Sequence, residues 1–479
     1  MPASVGSNQY QARRRPGSLP AVTKVGSLVA QAAGPQRRCG QIWGVLCAEP
    51  VGPPHWSCSR HPTLEQRQTA ARNPASPPEI LEMLSRDHAI SVREAMARNS
   101  GLPSTVLERL LADKLPYIRK SMVYNPGCAM QHLRRLAHDP APEVREQLAS
   151  KRPNLDWLLD QLAQDQAVRV RLAVADNQEC PITVLRELRN DPDPRVRARV
   201  AGWALPLDWT WELARDHDIN VRLAVAGNRA CPAEVLDELS GDPEPDVRQI
   251  LASHPNSSGP VLARVAAAST DIYTLERAAH HPCCPPGTLE QLSLHSRFQV
   301  RQAAAANPAC PSGALRRLGR EKSYKVQAAV ARNPVCPPDL LGQLIQRGNP
   351  DVCHGAARNP SCPPELLNQL ASSQDVSTCQ AVAANPACPS GALRRLAGSQ
   401  DLLSTHHAVA GNPNCPPDIL LQFAQSTNSW LRENVAGNPA CPQDLLLQLL
   451  RDPNKDVASK AAHHPQLPPH VLALWQVAH

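Results

Sequence analysis

Ala331-Arg332-Asn333-Pro334-Val335-Cys336-Pro337-Pro338-Asp339-Leu340-Leu341-Gly342-Gln343-Leu344 carries the plan of the whole 479-residue chain. Its Asn-Pro pair returns as Asn73-Pro74, Asn125-Pro126, Asn307-Pro308, Asn359-Pro360, Asn385-Pro386, Asn412-Pro413 and Asn438-Pro439. Asn99, Lys151, Asn177, Trp203, Asn228, His254, His281 and His464 hold the same place in the units between. The step is 26 residues, except 25 from Trp203 to Asn228 and 27 from His254 to His281 and from Asn385 to Asn412. A fixed period of this length marks stacked structural repeats, and about 16 of them follow one another from Asn73 to the end of the sequence.

Two helices fit into each step. Pro337-Pro338 opens the first, because a proline in the first helical turn lacks only an N–H that would have had no partner. Leu340, Leu341 and Leu344 then form one apolar stripe. The second helix is clearest in Val196–Ala201 and Val326–Ala331, where small alanines permit close approach. It stops where the residue before proline is driven out of the α region, in a turn that Asn tolerates. Its shortness allows part of it to wind as 3₁₀. The predicted fold is therefore an all-α solenoid of two-helix repeats. Aromatics are 3% of the sequence, so Leu, Val, Ala and Cys must build the core, and the 49 prolines punctuate helices.

The pattern Ala-Val-Ala-x-Asn-Pro-x-Cys-Pro-x-x-x-Leu-x-x-Leu, as in Ala381 to Cys388-Pro389 with Leu393 and Leu396, resembles the leucine-rich repeat variant (LRV) family. The likeness covers most of the chain, and every landmark stays in phase. It implies a right-handed superhelix alternating α and 3₁₀ helices. The Asp-x-x-x-x-Val-Arg segments also resemble those of HEAT repeats.

Composition divides the chain into a basic extension without periodicity at 1–38, expected to be disordered, a small module at 39–61, and the solenoid at 62–479. The module has Cys39, Cys47 and Cys58 out of phase with the repeat, with Trp43, Trp56, His55 and His61. LRV proteins with a four-cysteine N-terminal domain that houses a [4Fe-4S] cluster are known. The resemblance implies such a cluster on Cys39, Cys47 and Cys58, with His61 or His55 as a further donor. Only three cysteines are present and Cys-x-x-Cys is missing, whereas a cubane normally takes four thiolates. Three Cys and one His suit tetrahedral zinc as well, and a module without metal is the remaining alternative.

An arginine ladder runs six residues before the landmark at Arg93, Arg119, Arg145, Arg171, Arg197, Arg222, Arg248, Arg301 and Arg432. The first seven have an acid six residues earlier: Asp87, Asp113, Asp139, Asp165, Asp191, Asp216 and Asp242. These could form a basic stripe for an anionic partner, or pair with each other between units. Internal pairing is the better reading, because the repeats with Arg347/Cys353, Ser373/Cys379 and Gln400/His406 lose acid and arginine together. Ten of the 16 cysteines follow the landmark by three residues. Neighbouring repeats stack about 8–10 Å apart, too far for a disulfide or a shared metal, so these thiols are expected in the core. The same spacing argues against Cys353, Cys379 and His406 as metal ligands. Cys283-Cys284, beside a one-residue insertion, suggest a local bulge. Trp203, Trp209 and Trp211 suggest a repacked core, or else an aromatic anchor for a partner.

The net charge is +7, yet residues 1–60 contain seven basic residues against Glu49 alone, and the remainder holds 43 basic against 42 acidic residues. A near-neutral solenoid disfavours nucleic-acid binding. No run of 18 apolar residues is present to span a membrane, and Arg13-Arg14-Arg15 is not followed by an apolar stretch of signal-peptide length. No phosphate loop or catalytic constellation emerges. The expected protein is a cytoplasmic, non-enzymatic scaffold for protein contact. A redox protein using the cluster and a nucleic-acid-binding solenoid are the alternatives.

Overall fold

A proline pair, a leucine stripe and an Asn-Pro stop recur in three dimensions as they do in sequence. The computed structural model describes residues 62–151, 156–399 and 403–478, and among them are 32 α-helices. The chain divides at Pro181/Ile182 into two units. Within each unit the second helices of successive repeats pack directly on one another, and each first helix packs on the second helix of its own repeat.

The quoted stretch shows how. Helix Tyr324–Arg332 ends at Asn333, whose φ of −67° and ψ of 127° are extended, as a following proline demands. Pro337 then caps helix Pro338–Gln346. Leu340, Leu341 and Leu344 are buried, together with Val326, Val330 and Ala331 of the second helix. Gly355, in the next second helix, lies so close to that helix that a Cβ would fall 2.6 Å from the Ala328 carbonyl oxygen. Small side chains on the second helices are what let the repeats stack.

Two expectations change. Both helices of the described repeats are α-helical, so no whole 3₁₀ helix alternates with them. The tighter i→i−3 bonding is confined to their ends, where Asn333 N donates to Val330 O (3.1 Å) and Cys336 N donates to Asn333 O (3.0 Å). The one-residue insertion after His254 makes no bulge at Cys283-Cys284. It is absorbed upstream, in the ten-residue helix Gly259–Ala268. Cys284 N keeps the usual turn bond to His281 O at 3.0 Å.

Candidate functional site

The landmark asparagines do more than end helices. Asn333 Nδ2 donates backwards to two carbonyls of the preceding repeat, Ala305 O at 2.7 Å and Asn307 O at 2.8 Å. Its Oδ1 accepts from Val335 N at 3.0 Å. Asn307, Asn359, Asn385, Asn412 and Asn438 repeat the arrangement. The histidines that replace asparagine take over part of it. His254 Nε2 donates to Asn228 O (2.9 Å), and its Nδ1 accepts from Asn256 N (3.2 Å). His281 and His464 behave alike. These three imidazoles are thus structural groups that tie one repeat to the next. The extended backbone at Asn333 asks nothing special of its residue type, so the side-chain amide, and not tolerance of the turn, is what the position requires.

The arginines are spent between repeats. Arg119 Nε and Nη2 donate to Asp139 Oδ2 and Oδ1 at 2.6 and 2.8 Å, while Nη1 holds Asp113 O at 2.7 Å. The acid therefore comes from the following repeat, and the acid six residues earlier contributes only its backbone carbonyl. Arg93, Arg145, Arg197 and Arg222 clamp Asp113, Asp165, Asp216 and Asp242 in the same way. The structure adds Arg67 with Asp87, Arg301 with Glu321 and Arg432 with Asp452. The Arg432 fork holds the Asp452 carboxyl below the usual carboxylate range, overcoming the burial that pushes it up. A basic stripe for an anionic partner is not left over from these residues. Where arginine is missing, the contact to the carbonyl survives in miniature: Cys379 Sγ donates to Ser373 O at 3.1 Å. Cys353 instead points at Ile345 O, 3.9 Å away, and His406 packs on Phe423 with 5.3 Å between ring centroids.

Arg248 departs from this pattern. Nη1 is anchored as elsewhere, to Asp242 O and to Pro243 O at 2.9 Å. Its buried Nε has no partner among the described residues. A cleft of about 230 Å³ opens there, lined by Arg248 with Pro245, Asp246, Gln249, Ser269, Asp271 and Thr274.

The ten in-register thiols lie in the core. Burial pushes Cys336, Cys388 and Cys415 up to about 12 and Cys362 up to about 11, so none of these four supplies a thiolate at neutral pH. Cys283 is exposed. Trp209 and Trp211 are half-buried and capped by arginines, Arg189 at 4.7 Å and Arg215 at 5.0 Å from the ring centroids. They neither fill a core nor stand bare. Cys39, Cys47, Cys58, His55 and His61 lie outside the described residues.

Apart from Phe298, which is half-buried against the core, a row of apolar side chains is not consumed by the interior. In seven consecutive repeats of the second unit the first turn of the second helix carries Tyr273, Phe298, Tyr324, Pro350, Val376, Leu403 and Trp430. Tyr273 is 70% and Trp430 73% exposed, and Tyr324, Val376 and Leu403 are also outside. They stand eight residues before the landmark at Tyr273 and Trp430 and nine at the other five, a recurrence that the sequence shows without saying which of them are exposed.

Among the described residues no helix is long and apolar enough to cross a membrane. No curated protein matches the chain. Among solved structures, a leucine-rich repeat variant with a novel repetitive structural motif shares 26% identity over 52% of this chain and 87% of its own, with a TM-score of 0.35. Importin beta shares 13% identity over 80% of this chain (TM-score 0.30), and the karyopherin Kap121p 13% over 84% (TM-score 0.31). The aligned chain spans 62% of importin beta and 50% of Kap121p. The family model described as leucine rich repeat variant matches residues 219–244 and 430–454. These two segments are leucine-rich repeat variant units, and the same landmarks stay in phase through the other repeats.

Proposed function

We propose that this chain is a non-enzymatic, cytoplasmic scaffold that binds a partner protein along its repeats, and that its N-terminal module carries an iron–sulfur cluster. One observation carries the scaffold reading: the asparagines, the in-register thiols and the paired arginines are consumed internally, while in six of seven consecutive repeats an apolar side chain eight or nine residues before the landmark is left outside. The occupant that fits is an extended polypeptide. Neighbouring helices lie about 8–10 Å apart, and three residues of polyproline-type chain rise about 9 Å, so every third residue of a partner would meet a rung. Tyr and Trp are the side chains that contribute most at such contacts. Replacing Tyr273, Tyr324 and Trp430 together by Ala should remove specific partners from affinity capture without moving the melting temperature. An unchanged set of captured proteins, or one released by nuclease, would overturn the reading.

For the module, Cys39, Cys47 and Cys58 supply three thiolates and His61 the fourth donor. This set meets three of the four thiolates a cubane normally takes and makes tetrahedral zinc the competing occupant. A bound cluster would supply one-electron chemistry or tie the module together. Anaerobic purification should yield roughly four iron and four sulfide per chain, lost in Cys58→Ala. Zinc without sulfide replaces the cluster reading, and an unchanged metal content in the variant removes the ligand assignment.

A further inference from the structure

The geometry points to a second use of one rung: we propose that Arg248 receives a carboxylate presented by a partner polypeptide. The molecule itself provides the comparison. At Arg93, Arg119, Arg197 and Arg222 one guanidinium nitrogen is tied to a backbone carbonyl six residues back. That anchor aims Nε and Nη2 at a carboxylate of the next repeat, at 2.6–2.8 Å for Arg197. Arg248 keeps the anchor to Asp242 O. The position its fork should meet is Ser269, because the extra residue accommodated in Gly259–Ala268 shifts the following loop.

Ser269 preserves one half of the missing acid's work. Each rung aspartate uses one carboxylate oxygen to accept the N–H two residues on, as Asp216 does from Asp218 N at 2.8 Å. Ser269 Oγ accepts from Asp271 N at 3.2 Å. The loop is thus held in the same form, and only the oxygens that would fill the fork are missing. Where Ser373 and Ser426 take the acid position, the preceding rungs are Cys353 and His406, so the arginine has gone with the acid. At Arg248 the donor remains and the acceptor does not.

The flanking acids do not forbid an incoming anion. Asp271 stands two residues beyond Ser269, and Asp218 and Glu244 stand two residues beyond Asp216 and Asp242, which are clamped nonetheless. Asp271 is also engaged, accepting from Thr274 N and Oγ1 at 2.8 Å. Charge-assisted, bidentate pairing is the strongest form such a contact takes. Tyr273, the first exposed side chain of the apolar row, lies between the lining residues Asp271 and Thr274. An acidic residue at one end of the extended occupant would therefore enter the cleft as its apolar residues met the row. The inference rests on the scaffold reading only for the source of the carboxylate.

The probe is a fluorescent dodecapeptide with a hydrophobic residue at every third position and Asp at one end, compared with its Asn twin by anisotropy in 100 mM salt. The Asp peptide is expected to bind at least tenfold more tightly, and the preference is expected to vanish in Arg248→Met and in Ser269→Asp. Ser269→Asp should also raise the melting temperature, since it closes the rung from within. Competition by sodium acetate but not chloride assigns the effect to the carboxylate alone. Equal binding of both peptides overturns the inference while leaving the scaffold reading standing, and a preference that survives in Arg248→Met overturns it too. Binding of neither peptide counts against both.

Discussion

At the scale of single residues, the landmark Asn ties each repeat to the one before it. Replacing Asn333 by Ala would take its amide partner from Ala305 O and Val335 N and leave Asn307 O with Cys310 N alone. Each such loss costs about 1–3 kcal/mol when buried, so a destabilisation of about 3 kcal/mol is expected. Asn333→His should cost about 1 kcal/mol, because an imidazole at this position keeps one donated and one accepted bond, as His464 does. Urea denaturation of the two variants tests the order. The arginine rungs make a separate demand on pH. The Asp452 carboxyl is held low by Arg432. A carboxyl depressed in the folded state stabilises it fully above the unfolded value, near pH 4, and loses that contribution as pH falls through the folded value. Melting temperature should therefore drop below about pH 4, and Arg432→Met should shrink the drop while lowering stability at pH 7.

At the scale of helices, most of the fold was legible. Pro337-Pro338 and Asn333-Pro334 act through neighbouring backbone, so the start and stop of each helix are written locally, and the leucine stripe states which face is buried. The Asn amide and the Arg fork were harder to read. Their partners lie 26 and 28 residues upstream and 20 residues downstream, where only the stacked structure brings them together. The Arg248 cleft was harder still, since it depends on how an insertion is absorbed. Glycines show how tightly the stacking is set. Gly342, inside helix Pro338–Gln346, would meet only Leu366 Cδ2 at 3.9 Å, whereas Gly355 would meet backbone at 2.6 Å. Gly342→Ala should stabilise by about 0.5–1 kcal/mol through helix propensity. Gly355→Ala should instead destabilise by about 1–3 kcal/mol, because the second helices must separate to admit the methyl group. Thermal melts of the pair check both signs.

At the scale of the molecule, charge decides between binding classes. A phosphate binder must hold basic side chains free to release counterions, and each such contact steepens the dependence on salt. Eight arginines of the described ladder are already matched to carboxylates of the next repeat. The excess positive charge falls instead in residues 1–60, with seven basic side chains against one acid. Any association with a single-stranded 30-mer should therefore come from that segment. Fluorescence anisotropy at 50 and 200 mM salt is expected to show weak, salt-sensitive binding by the full chain and none once residues 1–60 are removed. Steep salt dependence retained by residues 61–479 would move the solenoid to the nucleic-acid class, because it would require cations that the internal rungs do not consume.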